Sequence, residues 1–278
     1  MKSILITGGS GSFGNAFAQF VIAGVSRVCI YSRGEHRQAA MREAFGDDDR
    51  MRFFVGDVRD RDRLRRAMIG VDVVVHAAAL KRIEVGHYNP IEMVLTNVNG
   101  AINVIEAARD AKVRKVVALS TDKAVSPCSP YGYSKAMAEA LFIAADDNHG
   151  TQFCVTRYGN IAASNGSVIP RWREMLDRGQ HLEVTDPDCT RFWMTIGEAV
   201  RLVWDAILDS ENGGKVIVPT LPAYRLGDLA RAMDPVKPAI ITGLPAWEKM
   251  HESMGPDNCS KDARCMTVEE LREALKQV

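Results

Sequence analysis

Tyr131 and Lys135 are spaced as one turn of a helix, and just upstream the run Ser120-Thr121-Asp122-Lys123 sets a carboxylic acid beside an amine. A tyrosine of ordinary pKa, roughly 10, is a poor base at neutral pH unless a positive charge favours its phenolate. Ala136 to Leu141 continue in good helix formers, so Tyr131 and Lys135 share a face and the ammonium reaches the phenol. The second pair adds a proton donor, Asp122 kept protonated, and a proton acceptor, Lys123 with its pKa lowered by burial and by the charge of Lys135. Alone, each pair reads as ordinary surface: a helix-start tyrosine with a solvated lysine, and a loop salt bridge worth up to ~1 kcal/mol. Their chemistry depends on the elements that hold them.

The strand expected before them is Lys115–Leu119, a short β-branched run whose carboxyl end delivers Ser120 to Lys123. At the amino terminus, Ser3–Thr7 reads as a buried strand running straight into Gly8-Gly9-Ser10-Gly11-Ser12-Phe13-Gly14, with a helix following through Ala16–Ala23. Such a turn lets backbone amides and the positive end of a helix approach a pyrophosphate, so Gly8, Ser10, Gly11, Ser12, Phe13 and Gly14 are expected to bind a dinucleotide. The second strand, Arg27–Tyr31, ends where an acid would select a ribose without a 2′-phosphate; the chain offers Ser32, Arg33 and Arg37 instead. Guanidinium groups there favour NADP over NAD, with Glu35 as the one nearby acid. A third strand, Phe53–Val58, brings Asp57 and Val58 to the adenine, although Asp57 also fits as a cap of the next helix. The fourth, Val71–Val75, leads into His76 and the small Ala77, Ala78 and Ala79, which let a cofactor lie against the backbone; Lys81 follows on the substrate side. Asn97 is assigned to the cofactor side, anchoring the site by hydrogen bonds, with a purely structural role open for both Lys81 and Asn97.

These motifs form an ordered set. TGGSGSFG at 7–14, HAAALK at 76–81, STDKA at 120–124 and YGYSK at 131–135 resemble an extended short-chain dehydrogenase/reductase, nearest the nucleotide-sugar 4,6-dehydratases. YSR at 31–33, FFVGDVRD at 53–60, RYGN at 157–160, GSVIP at 166–170 and TRFWMT at 190–195 are similar to the short soluble members acting on UDP-N-acetylglucosamine in flagellin-glycan and capsule pathways. The resemblance implies an α/β fold, a Rossmann-type doubly wound parallel sheet with a small C-terminal substrate-binding cap. It implies tightly bound NADP recycled within the catalytic cycle, a nucleotide-sugar substrate and a homo-oligomer built on the helices around 88–110 and 131–148. It further implies that Asn160 contacts the sugar or its phosphate, that the backbone of Val168, Ile169 and Pro170 lines the base pocket, and that Arg191 holds the diphosphate. Arg157, on a strand, fits equally as a structural ion-pair partner. Where relatives carry an arginine and glycine before Glu-Lys, this chain has Pro245-Ala246-Trp247 before Glu248-Lys249, a departure that leaves the nucleotide and sugar open.

The expected reaction has Tyr131 take the C4 hydroxyl proton while hydride leaves C4, with Thr121 hydrogen-bonding the C4 oxygen. The ketone acidifies C5; Lys123 removes that proton, Asp122 protonates the departing C6 hydroxyl, and hydride returns to C6. The product is a 4-keto-6-deoxy sugar, with C5 either kept or inverted. A nucleotide-sugar 4-epimerase or reductase would use Tyr131 and Lys135 but leave Asp122 and Lys123 idle; a non-catalytic NADP-binding regulator would need neither pair.

Length and composition fit this frame. The 278 residues, 46% hydrophobic, suffice for a dinucleotide-binding domain over 1–165 with returning segments about 190–220, and a cap from 166–189 and 221–278. Lys+Arg and Asp+Glu balance at 35 each, which gives no electrostatic case for nucleic acid. No run reaches the ~18 apolar residues needed to span a membrane, so a cytoplasmic protein is expected. Six cysteines without paired CxxC spacing argue for free thiols and no metal. Arg59, Arg61, Arg63, Arg65 and Arg66 alternate with aspartates and read as a solvated helix face.

Overall fold

Six apolar runs rich in Val, Ile, Leu and Phe become the strands β1 (Ser3–Thr7), β2 (Arg27–Ser32), β3 (Met51–Val55), β4 (Val73–His76), β5 (Lys115–Thr121) and β6 (Gln152–Tyr158). The computed structural model describes residues 1–147, 150–164 and 166–278. With the two-residue strand Val216–Ile217, these runs make a seven-stranded sheet in the order β3-β2-β1-β4-β5-β6 and then Val216–Ile217. Every pairing in it is parallel. All residues of β1 and β5 are buried, because helices cover both faces; that is why these strands are continuous apolar runs and not alternating ones. Successive residues divide between two cores: Ile4, Ile6, Val73, Val75 and Val117 face one layer, and Leu5, Val74, Val116 and Ala118 the other. The order of strands reverses between β1 and β4, which opens a crevice at the carboxyl ends of the strands.

The elements agree with the sequence expectation in kind and shift at their ends. α1 spans Ser12–Val21, starting earlier than expected, and a single 3₁₀ turn, Ile22–Gly24, ends it. β3 begins and ends earlier than expected, so Gly56-Asp57-Val58 lies in the loop beyond it. A Cβ on Gly56 would lie 2.5 Å from the Tyr31 ring, and this close approach lets the Tyr31 hydroxyl donate to the Asp57 carbonyl at 2.7 Å. Asp60, not Asp57, caps α2 (Arg61–Met68), accepting from Arg63 N. α2 shows the expected solvated basic face, with Arg61 paired to Asp110 at 3.0 Å.

The helix Pro130–Ala145 begins with Ser129 as its cap, accepting from Gly132 N, and Pro130 in the first turn. These two signals fix where Tyr131 leaves the loop. Beyond β6 the helix Val168–Asp177, the helix Leu226–Met233 and the helix Val268–Leu275 share a third core around Trp172, Trp193, Leu229 and Leu271. The cap adds the short strand Glu183–Val184, paired parallel with Ile240–Ile241. Thr190–Phe192 pairs antiparallel with Ala223–Arg225 and stays out of the main sheet, whereas the helix Ile196–Leu208 returns to it and packs on α1.

Candidate active site

A cleft of ≈ 750 Å³ runs along the carboxyl ends of the strands. One end is walled by the glycine turn, with Gly8, Ser10, Gly11, Ser12, Phe13 and Gly14 all on its lining, followed by Ser32, Arg33 and Arg37 after β2. Gly8 needs its positive φ of 66°, and a Cβ there would sit 2.9 Å from the Ala78 backbone; a Cβ on Gly14 would sit 2.4 Å from the Gly9 carbonyl. The turn is thus compressed between α1 and the alanine run, bare of side chains where a pyrophosphate would approach. Asp57, Val58, Ala77, Ala78 and Ala79 continue the wall. These residues fit a dinucleotide: a glycine-rich turn at a helix start, a small-residue floor and two guanidinium-bearing residues at the β2 end. Gln38, 4% exposed, sets the shape of that end by donating to the Ser32 carbonyl (3.0 Å) and hydroxyl (2.9 Å).

The other end holds Thr121, Lys123, Tyr131, Lys135 and Asn160. Asp122 lies just behind this lining, 0% exposed, with Oδ1 accepting from Thr121 Oγ1 (3.0 Å) and from Lys123 Nζ (3.1 Å). Its other oxygen, Oδ2, is buried without a hydrogen-bond partner among the described residues. Burial pushes the Asp122 carboxyl above the usual range; Lys123 opposes this and Glu252 adds to it. Lys123 Nζ also donates to Asn160 Oδ1 at 2.9 Å and lies 3.5 Å from Glu252 Oε1. Burial alone would lower the Lys123 pKa, but the Asp122 and Glu252 carboxylates outweigh it and raise it. The expected depression of Lys123 is therefore reversed, because the expectation rested on Lys135 and left Glu252 out.

Lys135 occupies a different place from the one its spacing suggested. Its ammonium donates to the Leu119 carbonyl at 2.7 Å, and burial pulls its pKa down to about 8 against the pull of Glu139. Burial raises the Tyr131 phenol, and the opposing charge is that of Lys123, assisted by a hydrogen bond with Thr121. The field that favours the phenolate comes from across the site, not from the next turn of the helix. His76 faces Thr7 across 2.8 Å and stays neutral, held by burial at about 3.

Comparison with known proteins places this geometry. The model of the polysaccharide biosynthesis protein family matches residues 4–270. The chain belongs to that family. Over 259 residues it is 42% identical to a UDP-N-acetylglucosamine 4,6-dehydratase (inverting) of Campylobacter jejuni, covering 91% of this chain and 77% of that one. It is also 42% identical over 267 residues to a UDP-glucose 4-epimerase of Rickettsia prowazekii, with the same coverage. Among solved structures, Pen from Bacillus thuringiensis superposes with a TM-score of 0.93 at 33% identity, over 100% of this chain and 98% of that one. DesIV, a dTDP-glucose 4,6-dehydratase from Streptomyces venezuelae, gives a TM-score of 0.83 over 99% and 96% of the two chains, and at 22% identity shares the fold. Within the family the chain is a dehydratase-like, extended short-chain dehydrogenase/reductase, an enzyme of the hydro-lyase type.

Three expected contacts, two of them implied by the family resemblance, are placed differently. Arg191 is 3% exposed and away from the cleft lining, donating to the carbonyls of Thr190 (2.7 Å) and Met250 (3.1 Å) and to Glu248 Oε1 (2.5 Å). The strand carrying it is buried on both faces, so the guanidinium is sealed under the C-terminal stretch. Val168 lines the cleft, but Ile169 turns into the third core and Pro170 lies off the lining, because the three open a helix and are not an extended wall. Asn97 is buried behind the cleft: Oδ1 accepts from Leu80 N (2.8 Å), and Nδ2 donates to Leu80 O and to Ser134 Oγ, both at 2.9 Å. It ties the loop after β4 to the helix that carries Tyr131 and lies off the cleft lining, in keeping with the structural role left open for it. Arg157 pairs with Glu139 at 2.9 Å, the structural alternative.

Sequence reasoning missed Glu252, Lys249, Tyr224 and Arg82. Lys249 Nζ pairs with Glu252 Oε2 at 3.0 Å and donates to the Val125 carbonyl at 2.8 Å. Tyr224 hydrogen-bonds Asn160, and Arg82 joins Lys81 on the cleft lining. Arg82 had a signal in the sequence, its place directly after the HAAALK motif, and Lys249 another, the Glu-Lys pair after Trp247.

Proposed function

We propose that this chain is an NADP-dependent nucleotide-sugar 4,6-dehydratase that converts a UDP-N-acetylglucosamine-like substrate to its 4-keto-6-deoxy product with inversion at C5. One observation carries the reading. Asp122 and Lys123 sit side by side, 3.1 Å apart, next to Tyr131 at the end of β5. Epimerisation at C4 needs a base for the hydroxyl and no more; loss of water across C5 and C6 needs a further acid and base, and this pair supplies both.

A bound nicotinamide dinucleotide would accept the C4 hydride and return it at C6. Tyr131 takes the C4 hydroxyl proton, its phenolate favoured by the Lys123 charge. Thr121 already gives its hydroxyl hydrogen to Asp122, so it meets the C4 oxygen as an acceptor or by releasing that bond. Lys123, whose side chain is 19% exposed, gives its ammonium proton to solvent in the cleft and then removes the C5 proton; Asp122 protonates the departing C6 hydroxyl, and once hydride has returned to C6 a solvent-derived proton adds at C5. Lys135, fixed to the end of β5, holds the helix that carries Tyr131. With Arg191 engaged elsewhere, the diphosphate falls to Lys81 and Arg82 at the cleft wall, and Arg33 and Arg37 hold the 2′-phosphate of NADP.

The chain is further proposed to act in the cytoplasm; among the described residues no helix is long and apolar enough to cross a membrane. Self-association is proposed through the exposed apolar side chains Tyr88, Ile91, Val94, Ile102 and Met137 on the helices expected to form an interface. The reading is tested by incubating the protein with NADP⁺ and UDP-N-acetylglucosamine in D₂O and following the sugar by NMR and mass spectrometry. Loss of water, a C6 methyl signal and deuterium at C5 are expected. An unchanged mass with altered C4 configuration would make it a 4-epimerase, the activity named for the Rickettsia relative.

A further inference from the structure

An acid that protonates a departing hydroxyl has to enter the reaction carrying its proton, yet the Lys123 ammonium beside Asp122 favours the carboxylate. The structure places a second carboxylate at the same nitrogen. Glu252 Oε1 lies 3.5 Å from Lys123 Nζ, and Glu252 is 2% exposed. Its main chain is braced: Glu252 N donates to Ser260 Oγ (2.9 Å), Ser260 N donates to the Glu252 carbonyl (2.8 Å), and Ser260 Oγ meets Thr190 Oγ1 at 2.6 Å.

We propose that Glu252 is the counter-ion of Lys123, and that by pairing with the ammonium it leaves Asp122 as the uncharged acid that protonates the departing hydroxyl. The assignment rests on the dehydratase reading of the site. It follows from the inequality of the two carboxylates. Glu252 is met by two ammonium groups, Lys123 on one oxygen and Lys249 at 3.0 Å on the other. Asp122 is met by one. Among the described residues Asp122 Oδ2 and Glu252 Oε2 are both buried without a hydrogen bond, but Oε2 has the Lys249 ammonium at 3.0 Å and Oδ2 has no cation beside it. A buried carboxylate oxygen with no cation beside it costs far more charged than protonated, so of the two acids Asp122 is the one that keeps a proton.

The remaining groups around Lys123 do not reverse this order. Tyr131 faces it from the catalytic helix, Asn160 from the loop after β6, and Arg191 and Tyr224 from the two paired strands. Arg191 is neutralised by Glu248, which leaves Lys123 and Lys249 to Glu252 and Asp122, with Asp122 the less compensated of the two. The directions agree: the charges of Lys123, Arg191 and Lys249 overcome the burial of Glu252 and hold its pKa below the usual range, while that of Asp122 is raised. Glu252 acts through Lys123 and is a positioning residue.

The deciding measurement is carboxyl ¹³C NMR of the full chain labelled at aspartate, with the Asp122 signal assigned as the one absent from Asp122→Asn. Asp122 is expected to be protonated at neutral pH in the unsubstituted protein; an ionised Asp122 there overturns the proposal without any Glu252 variant having to fold. In Glu252→Gln the Asp122 pKa is expected to fall by about one unit or more, since a charge at this range outweighs solvent screening. The pH–rate profile for water loss should move to lower pH with it, and Glu252→Asp should restore most of the original profile. A folded Glu252→Gln protein whose Asp122 titration is unmoved, or whose rate falls equally at every pH, overturns the proposal. Shifted titrations in a protein that eliminates no water would uphold the counter-ion and sink the dehydratase reading instead.

Discussion

The strand ends from β1 to β5 and the C-terminal stretch from 245 to 260 meet at the same lysine, but they reach it by different means. In the first region each functional residue sits within a short motif that also builds its own support: the glycine turn is its own packing surface, and Ser129 and Pro130 start the helix that aims Tyr131. In the second, Glu252 reaches Lys123 from a distant part of the chain, braced by Ser260 and Thr190, and nothing local marks it. Chemistry carried by local motifs is specified by spacing; the charges that tune it are specified by tertiary contact.

The largest effect that would break this contrast is at Tyr131. Tyr131→Phe is expected to lower turnover on the order of 10²- to 10⁴-fold, the usual scale for a general base, while NADP⁺ binding stays within a few-fold. Measured as the rate of water loss alongside a binding titration, a parallel loss of both would move Tyr131 from chemistry to structure and remove the difference between the regions.

Arg191 comes next, and it separates the two readings of the C-terminal half. As a buried partner of Glu248, its replacement in Arg191→Met should cost up to about 3 kcal/mol in unfolding free energy, less than a wholly buried pair because the Glu248 side chain is 26% exposed. As a diphosphate ligand, the same change would raise KM and leave thermal stability alone. Denaturation and steady-state kinetics on one variant decide between them.

What the sequence revealed follows the same line. The parallel order of strands, the cleft at their ends and the set Asp122, Lys123, Tyr131 and Lys135 were all legible, because β-branched runs and glycine turns impose them locally. The direction of the Lys123 shift was not, since it depends on a carboxylate that only folding brings near. Arg191 and Ile169 were misplaced for a related reason: a motif names residue types but does not say which side of a strand or helix start faces the ligand. β3 ended early because the packing of Gly56 against Tyr31 bends the chain there, a contact between separate segments that neither one announces.

The smallest expected effect tests the most local inference, cofactor choice at the end of β2. Arg37 lines the cleft, and Arg33 reaches toward Asp57 at only 3.8 Å, a weak, exposed pairing that leaves its guanidinium available. A charge-assisted contact to a 2′-phosphate at an open cleft wall is worth roughly 1.5 kcal/mol, the lower end of the range for such contacts, so Arg37→Ala should weaken NADP⁺ binding about tenfold and leave NAD⁺ affinity nearly unchanged. Equal loss for both dinucleotides would mean that Arg37 serves the common adenosine or the fold. In that case even this local segment would owe its meaning to tertiary contact, and the contrast between the two regions would narrow to the catalytic pairs alone.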